Sequence, residues 1–269
     1  MGTKQEKKIP EKTKSKKPFV SLVMIGSSEA GKSALILSYE YMVKNNIEYN
    51  EQLNRPLDKS ITHLISIIGI SSKTLETTIK DKTNEDINCI VKIWDTPGNE
   101  RFYKIVLSTI NISQGILLTY DITNCSTFEN LNKWIRKINE CKDISVYPII
   151  IVGCKADLED KREVSTEEGK KFAEEYKFPF FETSALTGKG VKEAFYTLIQ
   201  TVYENKIYDA GHVGPDGHGL RRLYRASLRR PGGPVPAHPD KPLSGHHDQV
   251  RLCRCGPERS QPGEGIGRG

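Results

Sequence analysis

No run in this 269-residue chain approaches the roughly 18 consecutive apolar residues that a membrane-spanning helix needs. The apolar h-region of a secretory signal is missing as well. Cysteine is sparse, and Cys89, Cys125, Cys141 and Cys154 are scattered without a metal-like cluster, which fits a reducing, cytosolic location. Arginine is scarce over the first 207 residues, where only Arg55, Arg101, Arg136 and Arg162 stand against 26 lysines. The formal net charge of +6, from 40 basic and 34 acidic residues, is modest for the length, and no nucleic-acid partner is expected.

What charge excess there is sits largely at the ends. Residues 1–17 carry seven lysines against Glu6 and Glu11 and read as a basic, solvated, disordered arm. Near residue 208 the composition changes abruptly. From Tyr208 onward there are nine arginines, one lysine and no asparagine, with 12 of the 22 glycines and 8 of the 14 prolines. That composition cannot supply a packed core, so 208–269 reads as a disordered, compositionally anomalous tail. One domain is left between them, residues 18–207.

Within it, strand and helix patterns alternate. Phe19–Ile25 reads as a buried strand and Lys32–Val43 as a helix. Leu64–Ile70 through Ile79 and Ile87–Trp94 read as a hairpin with a long polar turn over Lys80–Asn88. Gly115–Tyr120 is a strand, followed by a helix over Phe128–Cys141 whose Phe128, Leu131, Trp134, Ile135 and Ile138 recur at core-packing spacing. Val146–Val152 is a near-continuous apolar run, as a central parallel strand requires. A helix over Thr166–Tyr176, a short strand at Phe178–Glu182 and a helix over Gly190–Glu204 complete a doubly wound α/β pattern. Such sheets bind ligands at the carboxyl ends of their strands.

The first strand runs into Gly26-Ser27-Ser28-Glu29-Ala30-Gly31-Lys32-Ser33 and then a helix, the G-x-x-x-x-G-K-[ST] pattern in the context a phosphate-binding loop requires. The glycines let backbone N–H groups turn toward phosphate oxygens, and the helix N-terminus adds partial positive charge. Lys32 can reach outer phosphates and the Ser33 hydroxyl can hold magnesium. Glu29 would oppose the phosphates unless its side chain turns to solvent, as we expect. A second motif, Trp94 to Phe102 (WDTPGNERF), ends a strand in Asp95, which can face the metal through water. Gly98 there can bring its N–H to the terminal phosphate.

With these two motifs, GCKADL at 153–158, ETSAL at 182–186 and YDITNCSTFENLNKW at 120–134, the chain resembles a Rab-type member of the Ras superfamily of small GTPases over about residues 18–205. The resemblance implies the P-loop small-GTPase fold, a mostly parallel six-stranded sheet with helices on both faces. It implies GTP or GDP bound with magnesium, held by Ser33 and Asp95. Cys154, Lys155 and Asp157 take the places of the guanine-reading N-K-x-D motif. An ionised aspartate accepts two hydrogen bonds from guanine, N1–H and the exocyclic amine, a pair adenine does not offer. Lys155 would lie along the base, with Ser184, Ala185 and Leu186 closing over it.

Several positions depart from the family pattern. Cys154 replaces asparagine and reads as a small buried hydrophobe ending a strand, at the loss of one or two bonds. Leu186 replaces a lysine. Ile67 aligns with the threonine that binds metal and terminal phosphate, and it has no oxygen to offer; Thr62 or Ser66 could serve, since the Lys44–Thr62 stretch is long. Asn99 replaces the water-orienting glutamine with a shorter amide, next to a stiffening Pro97.

The resemblance implies effectors, exchange factors and GTPase-activating proteins as partners of a monomer. It implies a switch in vesicle-mediated transport, cytoplasmic and peripheral on endomembranes if lipidated. Cys253-Arg254-Cys255 has a lipid-acceptor spacing but is not at the terminus, and Met1-Gly2 lacks the Ser or Thr of a myristoylation signal. The expected function is slow GTP hydrolysis; the alternative is a catalytically impaired guanine-nucleotide-binding scaffold.

Overall fold

The computed structural model describes residues 17–48, 70–81 and 83–211, with side chains to residue 206. The elements are β1 (Phe19–Gly26), α1 (Lys32–Lys44), β2 (Ser71–Lys80), β3 (Asp86–Asp95), α2 (Tyr103–Ile112), β4 (Gly115–Asp121), α3 (Cys125–Glu129), α4 (Leu131–Asn139), β5 (Ile149–Cys154), α5 (Thr166–Glu175), β6 (Phe180–Thr183) and α6 (Val191–Gly211). Short 3₁₀ turns lie at Glu100–Phe102 and Glu159–Lys161.

Six strands form one sheet in the order β2-β3-β1-β4-β5-β6. Only β2 runs antiparallel, paired to β3; all other pairings are parallel. Side chains alternate across the sheet, so each face grows its own core. Val20, Leu22 and Met24 of β1 join Leu117, Ile150, Val152 and the buried stripes of α1 and α6 on one face, where Tyr39 stacks on Phe195 with ring centroids 4.1 Å apart. Val23 and Ile25 join Ile116, Leu118, Ile149, Ile151 and residues of α2 to α5 on the other. This is the expected α/β sheet with helices on both faces.

Boundaries differ in informative ways. The hairpin strands continue through the expected polar turn until Lys80 pairs with Asp86. There the Asp81 carboxylate accepts from the N–H groups of Thr83 and Glu85, closing a much tighter turn. The helix expected over Phe128–Cys141 is two, α3 and α4, meeting at Asn130, and it begins earlier because Asn124 caps Ser126. Leu131, Trp134, Ile135 and Ile138 are buried as the stripe implies. Strand β5 starts at Ile149, not Val146: the backbone turns at Asp143–Tyr147 and leaves Val146 exposed. The closing helix runs on to Gly211. Helix α2 has no counterpart in the sequence reading, since Ile105 and Ile112 face solvent and blur the stripe made by Val106 and Ile110. The Leu64–Ile70 strand assignment lies outside the described residues except Ile70, which precedes β2.

Candidate functional site

The parallel strands end together at one edge of the sheet. Their last residues are Gly26, Asp95, Asp121, Cys154 and Thr183, on β1, β3, β4, β5 and β6. Each is followed by a loop, and these loops carry every motif of the site.

The loop from Gly26 reverses into α1 through Gly31, a left-handed N-cap (φ 94°) with no side-chain cap, so the first-turn N–H groups are left for an anion. Glu29 is also left-handed (φ 62°), and its side chain points to solvent as expected. The Lys32 ammonium lies within the loop, donating to the carbonyls of Gly26 (3.0 Å) and Ser27 (2.6 Å). Burial lowers its pKa to about 8, with the charge of Asp95 opposing. The Ser33 hydroxyl donates to Asp95 Oδ2 at 2.5 Å. Burial raises the Asp95 carboxyl above the usual range, and the Ser33 bond pulls it back. Two hard oxygens side by side at a phosphate loop suit magnesium, which takes few protein ligands and completes its shell with phosphate and water. No cluster of three or more His, Cys, Asp or Glu side chains that could hold a metal occurs among the described residues.

The segment after Asp95 folds onto the phosphate loop. Thr96 is buried and its hydroxyl donates to the Met24 carbonyl at 2.6 Å. Gly98 approaches so closely that an added Cβ would lie 2.2 Å from Ser28 N. Asn99 is exposed, and its Oδ1 accepts from Arg101 N at 2.9 Å, capping the following 3₁₀ turn. Across the loop, Asn130 Nδ2 donates to Ser27 Oγ at 3.3 Å.

At the other end of the edge, the Asp157 carboxylate accepts from the buried Ser184 hydroxyl at 2.6 Å. Lys155 is left-handed (φ 67°), and its ammonium is held by the buried Asp121 at 2.6 Å. Asp121 also accepts from the N–H and hydroxyl of Thr123. Cys154 is buried, packed under Gly31, where an added Cβ would lie 3.2 Å from Cys154 Cβ. Its sulfur comes no nearer than 4.0 Å to the Val152 carbonyl, as a small hydrophobe would sit. Ala185 and Leu186 follow Ser184 half-buried. The structure thus gathers the phosphate-loop, Asp95–Asn99, Cys154–Asp157 and Ser184–Leu186 residues at one edge. Ile67, Thr62, Ser66, Cys253 and Cys255 lie outside the described residues.

The Ras family model matches residues 21–204, most of the chain. The chain belongs to the Ras family. Ras-related protein Rab-8B of Homo sapiens is 36% identical over 199 residues, covering 73% of this chain and 86% of its own. GTP-binding protein ypt2 of Schizosaccharomyces pombe is 34% identical over 195 residues, with 72% and 86% covered. Ras-related protein Rab-10 of Caenorhabditis elegans is 35% identical over 181 residues, with 67% and 79% covered. These relatives make this Ras-family chain a Rab-type small GTPase.

Sequence reading of the Ras-family motifs assigns no site role to Thr96, Asp121, Asn130 or Glu182, which lie within those motifs, or to Arg162, which lies outside them. A signal existed for two of them. Asp121 is a carboxylate ending an apolar strand, and Arg162 is one of four arginines before residue 208. No helix among the described residues is long and apolar enough to cross a membrane.

Proposed function

We propose that this chain binds GTP and GDP with magnesium at the strand-end edge and hydrolyses GTP slowly, as a switch in vesicle-mediated transport. The observation that carries the reading is the convergence of Lys32, the Ser33–Asp95 pair and the Asp157–Ser184 pair on the carboxyl ends of the strands. Lys32 and the α1 N-terminus hold the outer phosphates, and Asp157 accepts from N1–H and the amine of guanine. Ser33 and Asp95 would hold magnesium, which would supply positive charge beside the outer phosphates. The Gly98 N–H would meet the terminal phosphate, and Asn99 takes the place of the family's water-orienting glutamine. Effectors, exchange factors and activating proteins are the partners that such a monomeric, endomembrane-associated switch requires.

Turnover is slow because Asn99 is short and its oxygen is engaged with Arg101 N, while Pro97 stiffens its support. The same engagement favours a second reading, a guanine-nucleotide-binding scaffold with no useful turnover. Single-turnover hydrolysis of GTP separates the two, and competition of GTP against ATP in Asp157→Ala tests the site. Unchanged preference for GTP in that variant overturns the base-site assignment.

A further inference from the structure

From Gly26 to Ser33 the phosphate loop has only two charged residues, Glu29 and Lys32, and they are of opposite sign. Lys32 is buried, and its ammonium donates to the carbonyls of Gly26 and Ser27. Glu29 is exposed at the turn of the loop, between exposed Ser28 and fully buried Ala30. Its φ of 62° lies in the left-handed region, which residues with a Cβ disfavour. The backbone on either side is held. Ala30 N donates to the Ser27 carbonyl at 3.4 Å, and Gly98 lies directly against Ser27 and Ser28. The carboxylate can therefore turn about its own side-chain bonds but stays with the loop.

That negative charge is not cancelled. Among the described residues the Glu29 side chain makes no ion pair and no hydrogen bond. Other cations of the strand-end edge are engaged elsewhere: Lys155 is held by Asp121 at 2.6 Å, and Lys133 lies 3.8 Å from Glu100. Glu29 precedes Lys32 by three positions, so their Cα atoms are at most about 11 Å apart. The screening length at physiological ionic strength is about 8 Å. An anion held by Lys32 thus lies within about one screening length of an unpaired carboxylate. Turning that side chain to solvent weakens the repulsion without abolishing it.

We propose that Glu29 is a specificity-determining residue of the phosphate site: its carboxylate repels bound polyphosphate, so it lowers the preference for charged nucleotides over the bare nucleoside and speeds their release. The inference rests on the guanine-nucleotide reading above. It assigns the effect to the charge of Glu29 and not to its left-handed backbone, and the two are separable. Glutamine keeps the size and the backbone strain but removes the charge, whereas glycine removes both.

The test measures dissociation constants for guanosine diphosphate and for uncharged guanosine, and release rates of a fluorescent guanosine diphosphate. The full chain is used with magnesium present, as wild type, Glu29→Gln, Glu29→Gly and Glu29→Lys, with thermal melting followed separately. Glu29→Gln should tighten the diphosphate about fivefold and slow its release to match, the size expected of a few like charges about one screening length apart. Guanosine affinity should stay unchanged, and Glu29→Lys should move the diphosphate further in the same direction. The gain should largely vanish on going from about 0.1 M to about 1 M salt, where the screening length falls from about 10 to about 3 Å. A role confined to backbone strain would alter Glu29→Gly and leave Glu29→Gln like wild type, and that result overturns the proposal. So does a change in Glu29→Gln that guanosine shares or that salt does not weaken. A wild-type chain that binds guanosine as tightly as the diphosphate overturns the phosphate-site reading itself.

Discussion

A thiol stands at position 154 where the family's guanine site has an amide, and its surroundings explain the role it keeps. Cys154 ends β5, is buried, and fills the space beneath Gly31. Burial pushes the thiol up to about 12, opposed by the Thr183 hydroxyl, so thiolate is scarce at neutral pH. In the folded chain at pH 8, iodoacetamide should therefore modify half-buried Cys141 well before Cys154, which peptide mass mapping checks. Restoring the amide with Cys154→Asn should tighten guanosine diphosphate binding by about 1–3 kcal/mol, read by titration calorimetry; equal affinities would show that the thiol costs the site nothing. At Asn99 the limit is reach. Asn99→Gln should speed single-turnover GTP hydrolysis, and Asn99→Ala should change it little, because the existing amide oxygen already caps Arg101 N. The burial of Cys154 was legible from one residue ending an apolar strand. The engagement of Asn99 was not, because an exposed amide chooses among neighbours that sequence does not place.

Among the elements, the segment Asp95–Asn99 is the most constrained, since it lies directly on the phosphate loop. A methyl group at Gly98 would meet Ser28 N at 2.2 Å and Ser27 C at 2.3 Å, both backbone atoms that have nowhere to go. Gly98→Ala should push the two loops apart and weaken GTP more than GDP, as measured by competition with a fluorescent nucleotide. Equal losses would show that the contact serves folding alone. Elsewhere local chemistry defines the elements well. Ser165 and Glu168 form a reciprocal capping box at the start of α5, visible in sequence as S-x-x-E. Ser165→Ala should cost about 1 kcal/mol in urea unfolding without changing nucleotide selectivity. The phosphate loop, β1, β4 and the base motifs were likewise readable, because strong periodicity or fixed spacing leaves few alternatives. Helix α2 was not, since it buries only part of its apolar surface and leaves Ile105 and Ile112 exposed.

At the scale of the whole molecule, the sheet carries two separate cores, one on each face. Phe195 of α6 is fully buried and stacked on Tyr39 of α1, so it ties the last helix to the first. Phe195→Ala should destabilise the fold by about 3–5 kcal/mol in urea unfolding through the cavity it leaves. A loss below about 1 kcal/mol would mean that α1 and α6 repack, the cost then falling in the range of volume-conserving swaps. The sequence by itself determined the alternation of strand and helix, the apolar strands and the motif residues, because these depend on spacing along the chain and on side-chain chemistry. Only the tertiary structure decided which charged residues pair with one another around the site. Asp121 reaches Lys155 across 34 positions and Arg162 reaches Glu182 across 20, pairings made by parallel strands that end at a common edge. Charge pairs of that kind have no period and no fixed spacing. They exist because crossover connections return each strand to the same side of the sheet, a fact of topology that no local stretch of residues encodes.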